Sequence, residues 1–147
     1  MFENLLRRLL APAPAPLPET EARVALAALM VRLARADGDY APAEVARIDL
    51  LLGARYGLDQ AAAVALRAEG EALEAEAPDT VRFTRALKEA VPLEDRLSLI
   101  EALWSVVLTD GHRDHGEDRL MRLLTNLLGI SDRDSALARQ RVERRAP

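Results

Sequence analysis

Apolar residues recur at helical spacing along almost the whole chain. Phe2, Leu5, Leu6, Leu9 and Leu10 follow the i, i+3, i+4, i+7 rule, which predicts a short amphipathic helix over residues 1–10. Four prolines in residues 11–18 forbid a helix there and favour an extended, semi-rigid spacer. From about Pro18 to Asp37, Leu26, Leu29, Met30 and Leu33 share one helical face, and Gly38 is placed to end that helix. Pro42 suits the first turn of the next, which carries Val45, Ile48, Leu51 and Leu52 to about Tyr56 and is closed by Gly57. Asp59 is placed to cap an Ala-rich helix from Gln60 to about Glu76, with Gly70 inside it. Pro78 and Asp79 open a shorter helix through Val81, Phe83, Leu87 and Val91. Pro92 starts a longer one through Leu97, Ile100, Leu103, Trp104, Val107 and Leu108. A helix from Asp114 to about Leu128 stops at Gly129, and Ser131 and Asp132 can cap a last, Arg-rich helix.

One pattern occurs twice. Residues 29–59 and 102–132 align on Asp37-Gly38 and Asp110-Gly111, and Glu44 then falls on Glu117, Ile48 on Met121 and Leu51 on Leu124. Gly57 matches Gly129 after a one-residue slip. Each copy reads as helix, Asp-Gly turn, helix and Gly stop, so each is a helical hairpin, and two hairpins can pack as a bundle. The informative part is the shared D-G-(x)5-E spacing, because Ala- and Leu-rich helices align by chance.

Composition strengthens the helical reading. Of 147 residues, 27 are Ala and 26 are Leu, while Val, Ile, Thr and aromatics, the residues suited to sheets, are scarce. The expected fold is all-α: a compact bundle of about seven helices from two similar halves over residues 19–147, preceded by the amphipathic helix and spacer of residues 1–18. No Cys is present, which excludes disulfides, Cys zinc sites and thiol nucleophiles. No stretch reaches the roughly 20 apolar residues of a membrane span. The net charge of −4 gives no overall attraction to nucleic acid or anionic lipid. Residues 1–10 could touch a membrane surface, but packing on the protein's own body is the better reading.

The chemistry is concentrated in the two turns. Asp37 and Asp110 each fall at a helix C-terminus, where the macrodipole makes a carboxylate unfavourable by roughly 0.3–1 kcal/mol. A bound cation would reverse that preference, and an ordinary Asp-Gly turn is the plain alternative. Glu44 and Glu117 stand at about the third position of the following helix, where a carboxylate is favoured. Asp114 and Glu117 have the D-x-x-E spacing of a capping box, whereas Ala41 at the first cap leaves Glu44 less well explained. Such oxygen ligands suit Ca²⁺, Mg²⁺ or Mn²⁺. The second turn also holds both histidines, His112 and His115, beside Asp110, Asp114, Glu117 and Asp118, and H-x-x-H with carboxylates could take Zn²⁺. The first turn adds Asp39. The turns form either one shared site or two weak ones.

Other residues invite plainer readings. Trp104 lies on the apolar stripe of its helix and is expected in the core. Arg139, Arg141, Arg144 and Arg145 read as a solvated basic end that complements a helix dipole. No nucleophile elbow, Walker loop or G-x-G-x-x-G is present, so no enzymatic activity is expected.

The segments LARADGDYAPAEVARI and VVLTDGHRDHGEDRLMRLL resemble the paired turns of the TerB-like tellurite-resistance family, and are similar to the TerB-like domain of membrane-anchored J-domain co-chaperones. The resemblance covers about residues 20–132. It implies an all-helical domain of about seven helices in two similar halves, linked to stress responses, with the acidic turns as a metal-binding surface. Carried over, the metal candidates are Asp37, Glu44, Asp110 and Glu117, with Asp39, His112, Asp114 and His115 as weaker ones. Thr109, where the pattern has Ala, and the two His depart from it.

The leading expectation is therefore a cytoplasmic, non-enzymatic module that binds a divalent cation weakly and docks on protein partners. One alternative is a metal-free protein–protein interaction domain near a membrane. A weaker one is a metal-dependent hydrolase, which needs three or more ligands beside a pocket and an open coordination position.

Overall fold

The computed structural model describes residues 5–7, 19–38, 40–76, 80–109 and 115–145. Among these, seven helices follow in order: α1 (Glu19–Ala34), α2 (Pro42–Tyr56), α3 (Gln60–Glu76), α4 (Thr80–Ala90), α5 (Leu93–Val107), α6 (His115–Leu127) and α7 (Asp132–Arg145). A 3₁₀ turn, Arg35–Asp37, extends α1, Leu5–Arg7 are helical, and no strand occurs among the described residues. The all-α class holds. The Pro-rich segment 11–18 lies outside the described residues, as do Pro78 and Asp79.

The punctuation works as its residue types require. Asp59 Oδ1 accepts the Ala62 N–H at 2.8 Å, and Ser131 Oγ accepts the Asp134 N–H at 3.0 Å, each satisfying a donor that a helix start leaves unpaired. Arg96 closes the end of α4 from outside, donating to Val91 O at 3.1 Å and Lys88 O at 3.2 Å.

α1 departs from the one-faced helix that its Leu spacing predicts. Every residue from Val24 to Val31 is buried, so α1 is the central helix, covered on all sides. The uninterrupted run VALAALMV explains this: a helix apolar all round belongs inside. Its Ala side chains let α3 come close. At Gly70 of α3 a Cβ would lie 2.6 Å from Ala27 Cβ and 2.9 Å from Ala28 N, so only glycine fits this crossing. Leu5 is 4% exposed and belongs to the same apolar cluster, so this part of the N-terminal segment lies on the protein's own body. Val81 is exposed, unlike its place on the predicted apolar face of α4, whereas Leu87 is buried.

The internal repeat extends beyond two hairpins, to three helices in each half. α1 packs on α3 as α5 packs on α7, and α1 also packs on α5, joining the halves. A shift of 72 residues superposes the backbone bonds of the second connection. Leu58 N–H donates to Gly53 O and Ile130 N–H to Thr125 O; Ala63 N–H donates to Asp59 O and Ser135 N–H to Ser131 O. Gly57 and Gly129, at φ +64° and +76°, both take the left-handed conformation that ends a helix without a Cβ penalty.

The arginines of α7 are not simply a solvated end. Arg141 Nε and Arg145 Nη2 meet Glu101 Oε1 of α5 at 3.3 and 2.7 Å, and Arg139 Nε meets Glu143 Oε1 at 3.0 Å. Charge pairing thus fastens α7 to α5. No described helix is long and apolar enough to cross a membrane.

Candidate functional site

The first turn begins where α1 tightens into its 3₁₀ extension. Gly38 N–H donates to Arg35 O at 2.9 Å, so Asp37 sits at the carbonyl end of the helix, as its position before Gly38 predicts. Only the backbone of Asp37 is described, and Asp39 lies outside the described residues.

Glu44 gains a structural account that its sequence context lacked. It is 2% exposed, and its Oε1 accepts the Ala41 N–H at 3.3 Å. Its own N–H donates to Ala41 O at 3.0 Å. Ala41 has no side-chain acceptor, so this is the Glu half of a capping box, with the Glu carboxylate reaching back to an N–H at the helix entry. The residue at the cap does not need to be polar for Glu44 to hold the turn.

Charged groups surround this turn. Arg35 Nη1 pairs with Glu74 Oε2 at 3.4 Å, and the Arg35 guanidinium stands 5.0 Å from the centre of the Tyr40 ring. Arg32 Nε reaches Glu74 Oε1 at 3.5 Å. The Tyr40 hydroxyl is buried with no hydrogen-bond partner among the described residues. Burial, and then the nearby Glu71 carboxylate, raise its pKa well above the ordinary tyrosine value. On the same side, Arg67 links Asp49 of α2 at 2.6 Å to Glu71 of α3 at 3.3 Å.

At the second turn, Leu108 N–H donates to Trp104 O at 2.9 Å as α5 ends. Thr109 Oγ1 donates to Ser105 O at 2.7 Å, so the Thr that departs from the expected Ala satisfies a helix-end carbonyl. Asp110, His112 and Asp114 lie outside the described residues, and only the backbone of His115 and Glu117 is described, at the start of α6. The 3₁₀ turn Arg35–Asp37 packs against α6. The first turn therefore lies beside the helix that the second turn opens. Among the described residues no three or more His, Asp or Glu side chains form a metal-holding group.

One feature escaped the sequence reading. A cleft of about 410 Å³ lies beside Trp104, between α6 and α7. Trp104 is 8% exposed, as expected of a core residue, yet its indole N–H donates to Ser135 Oγ at 3.0 Å. Thr125 and Ser135, two buried polar residues on otherwise apolar faces, were the available signal.

A model of the family described as Tellurite resistance protein TerB matches residues 23–140, spanning both turns and all seven helices in whole or part. No curated protein and no solved structure matches the chain. With both hairpin halves inside that match, the chain belongs to the TerB tellurite-resistance family.

Proposed function

We propose that this TerB-family chain is a non-enzymatic cytoplasmic module of the stress-response type. It holds one divalent cation weakly between its two Asp-Gly turns and docks on protein partners. The observation that carries this reading is the packing of the 3₁₀ turn Arg35–Asp37 against α6, the helix in which Glu117 stands. That packing brings the first turn beside the helix in which Glu117 stands, which supports one shared site over two. Asp37, at the carbonyl end of its helix, fits a cation, because the ion's charge offsets the unfavourable dipole there. Asp37 and Asp110 would hold the ion, with Glu44 and Glu117 behind them; Asp39, His112, Asp114 and His115 are the further donors available in the turns.

A second reading is a metal-free interaction module. Its support is Glu44, whose burial and capping bond give it a structural task. Calorimetric titration of metal-free chain with Ca²⁺, Mg²⁺, Mn²⁺ and Zn²⁺ separates the two. The first reading expects one ion per chain, lost in Asp37→Asn and in Asp110→Asn alike. Absence of binding below millimolar concentration, or two ions lost independently, would leave the second reading or a two-site version.

A further inference from the structure

The outward faces of α2 and α3 are apolar along their middle. From residue 43 to 54 the exposed positions of α2 are Ala43, Ala46, Leu50 and Ala54, and Leu50 is 62% exposed. From residue 61 to 75 the exposed positions of α3 are Ala61, Ala65, Ala68, Ala72 and Ala75. Each set is spaced three or four apart, so each lies on one side of its helix. A helix face turned to water ordinarily carries the polar residues, and 30% of this chain is charged.

The second half shows what the same fold does with a solvated face. The 72-residue shift maps Leu50 and Ala54 onto Arg122 and Asn126, and Ala61, Ala68 and Ala72 onto Arg133, Gln140 and Arg144. All five of these polar residues are exposed. Ala65 maps onto another apolar residue, Leu137, which is 39% exposed. The fold therefore does not require Ala and Leu at these places, and an apolar face kept on the surface marks a contact.

The charges beside this face are arranged to meet a copy of it. Asp49 Oδ1 lies 2.6 Å from Arg67 Nε, and a Cβ on Gly53 would lie 3.8 Å from Ala63 Cβ. Residue 49 is thus level with 67 and residue 53 with 63, so the two helices run antiparallel, Arg47 is level with Glu69, and Leu50 is level with the step between Ala65 and Ala68. At 3.6 residues per turn, Arg47 lies about 160° round α2 from Asp49, on the edge away from α3. Glu69 lies about 160° round α3 from Arg67, on the edge away from α2. Neither makes an ion pair among the described residues. The face has a basic edge and an acidic edge at the same level.

We infer that the α2–α3 face docks on the same face of a second copy of this chain, about a twofold axis parallel to the two helices. That axis lays α2 on the second copy's α3 and keeps every level. Leu50 then enters the gap between Ala65 and Ala68 of the second copy, where the small side chains leave room for it, and Arg47 meets the second copy's Glu69. Each contact occurs twice. A twofold across the helices would instead set basic edge on basic edge and acidic on acidic, so charge selects the first arrangement. A face two helices wide and about 20 Å long belongs to the small class of interfaces, under about 1,200 Å², so the dimer forms and parts with concentration.

Analytical ultracentrifugation of the full chain from micromolar to millimolar concentration tests this, in EDTA so that no ion at the turns takes part. A monomer–dimer equilibrium is expected. Leu50→Arg and Ala68→Gln place at exposed sites the residues that the second half carries there, so the fold is kept, as circular dichroism and melting temperature confirm. Leu50→Arg should abolish the dimer and Ala68→Gln should weaken it about tenfold or more. Arg47→Glu and Glu69→Arg should each weaken it about tenfold, the scale of two surface ion pairs turned repulsive. The double exchange, Arg47→Glu with Glu69→Arg, should restore it. Leu93→Arg, at a residue 64% exposed but outside this face, should dimerise like the parent. The proposal is overturned by a chain that stays monomeric to millimolar concentration, which would give the face to a different protein. It is also overturned by a folded Leu50→Arg that dimerises like the parent, or by a double exchange that restores nothing.

Discussion

Replacing Gly70 by Ala tests how this fold is closed. Gly70 faces α1 where the two helices cross, and an added Cβ would stand 2.6 Å from Ala27 Cβ, 2.8 Å from Ala27 C and 2.9 Å from Ala28 N. Two of those atoms are backbone, so no rotamer change relieves the overlap, and α1 and α3 must separate. Overpacking of this kind costs about 1–3 kcal/mol, and a rigid backbone contact belongs at the upper end. Against it, Ala is better than Gly in a helix interior by about 1 kcal/mol. The net expectation is a loss of about 2 kcal/mol. For a chain of this size that lowers the melting temperature by about 4–8 °C. Urea unfolding followed by circular dichroism measures it directly. Gly53→Ala is the control: its nearest neighbours would be Leu58 O at 3.2 Å and Ala63 Cβ at 3.8 Å, so the helix gain and the milder contact nearly cancel. A Gly70→Ala chain as stable as the parent would refute the close α1–α3 crossing.

Three further outcomes follow from the same geometry. Glu44→Ala removes the acceptor for the Ala41 N–H and should lower stability by about 1 kcal/mol, whereas Glu44→Gln keeps an acceptor and should stay within a few tenths of the parent by denaturant melt. Ser135→Ala leaves the Trp104 indole N–H without its partner; a loss of about 1 kcal/mol is expected with a shift in Trp104 emission, and an unchanged spectrum would contradict the bond. Because burial raises the Tyr40 pKa above its unfolded value of 10.0, the unfolded chain releases that proton first as pH rises. Stability from this group is therefore whole below about pH 10 and lost above it. Tyr40→Phe should flatten that alkaline fall, as read from urea midpoints across pH 9–11.

Helix boundaries were legible because glycines, prolines and caps act locally: Gly57, Gly129, Asp59 and Ser131 all stand where their residue types put them. The burial of α1 on every side needed the apolar run at Val24–Val31 to outweigh the Leu spacing, and a Leu-based face hid it. Gly70 gave no sign of its role, since the group it must avoid is more than 40 residues away in sequence. The third helix of each repeat escaped notice because the likeness lies in backbone hydrogen bonds, not in residue identity: Gly53 matches Thr125, and Ala63 matches Ser135. Glu44 was half explained because its partner is a main-chain N–H, which the identity of Ala41 does not reveal. At the turns, the spacing placed Asp37 at a helix end, and only the fold put that helix end beside α6.

The central claim is one cation shared by both halves. Crystals grown with Mn²⁺ and measured for anomalous scattering test it most directly. One Mn²⁺ per chain is expected, with Asp37 and Asp110 both among its ligands. Two separate Mn²⁺ peaks, or none at either turn, would contradict it.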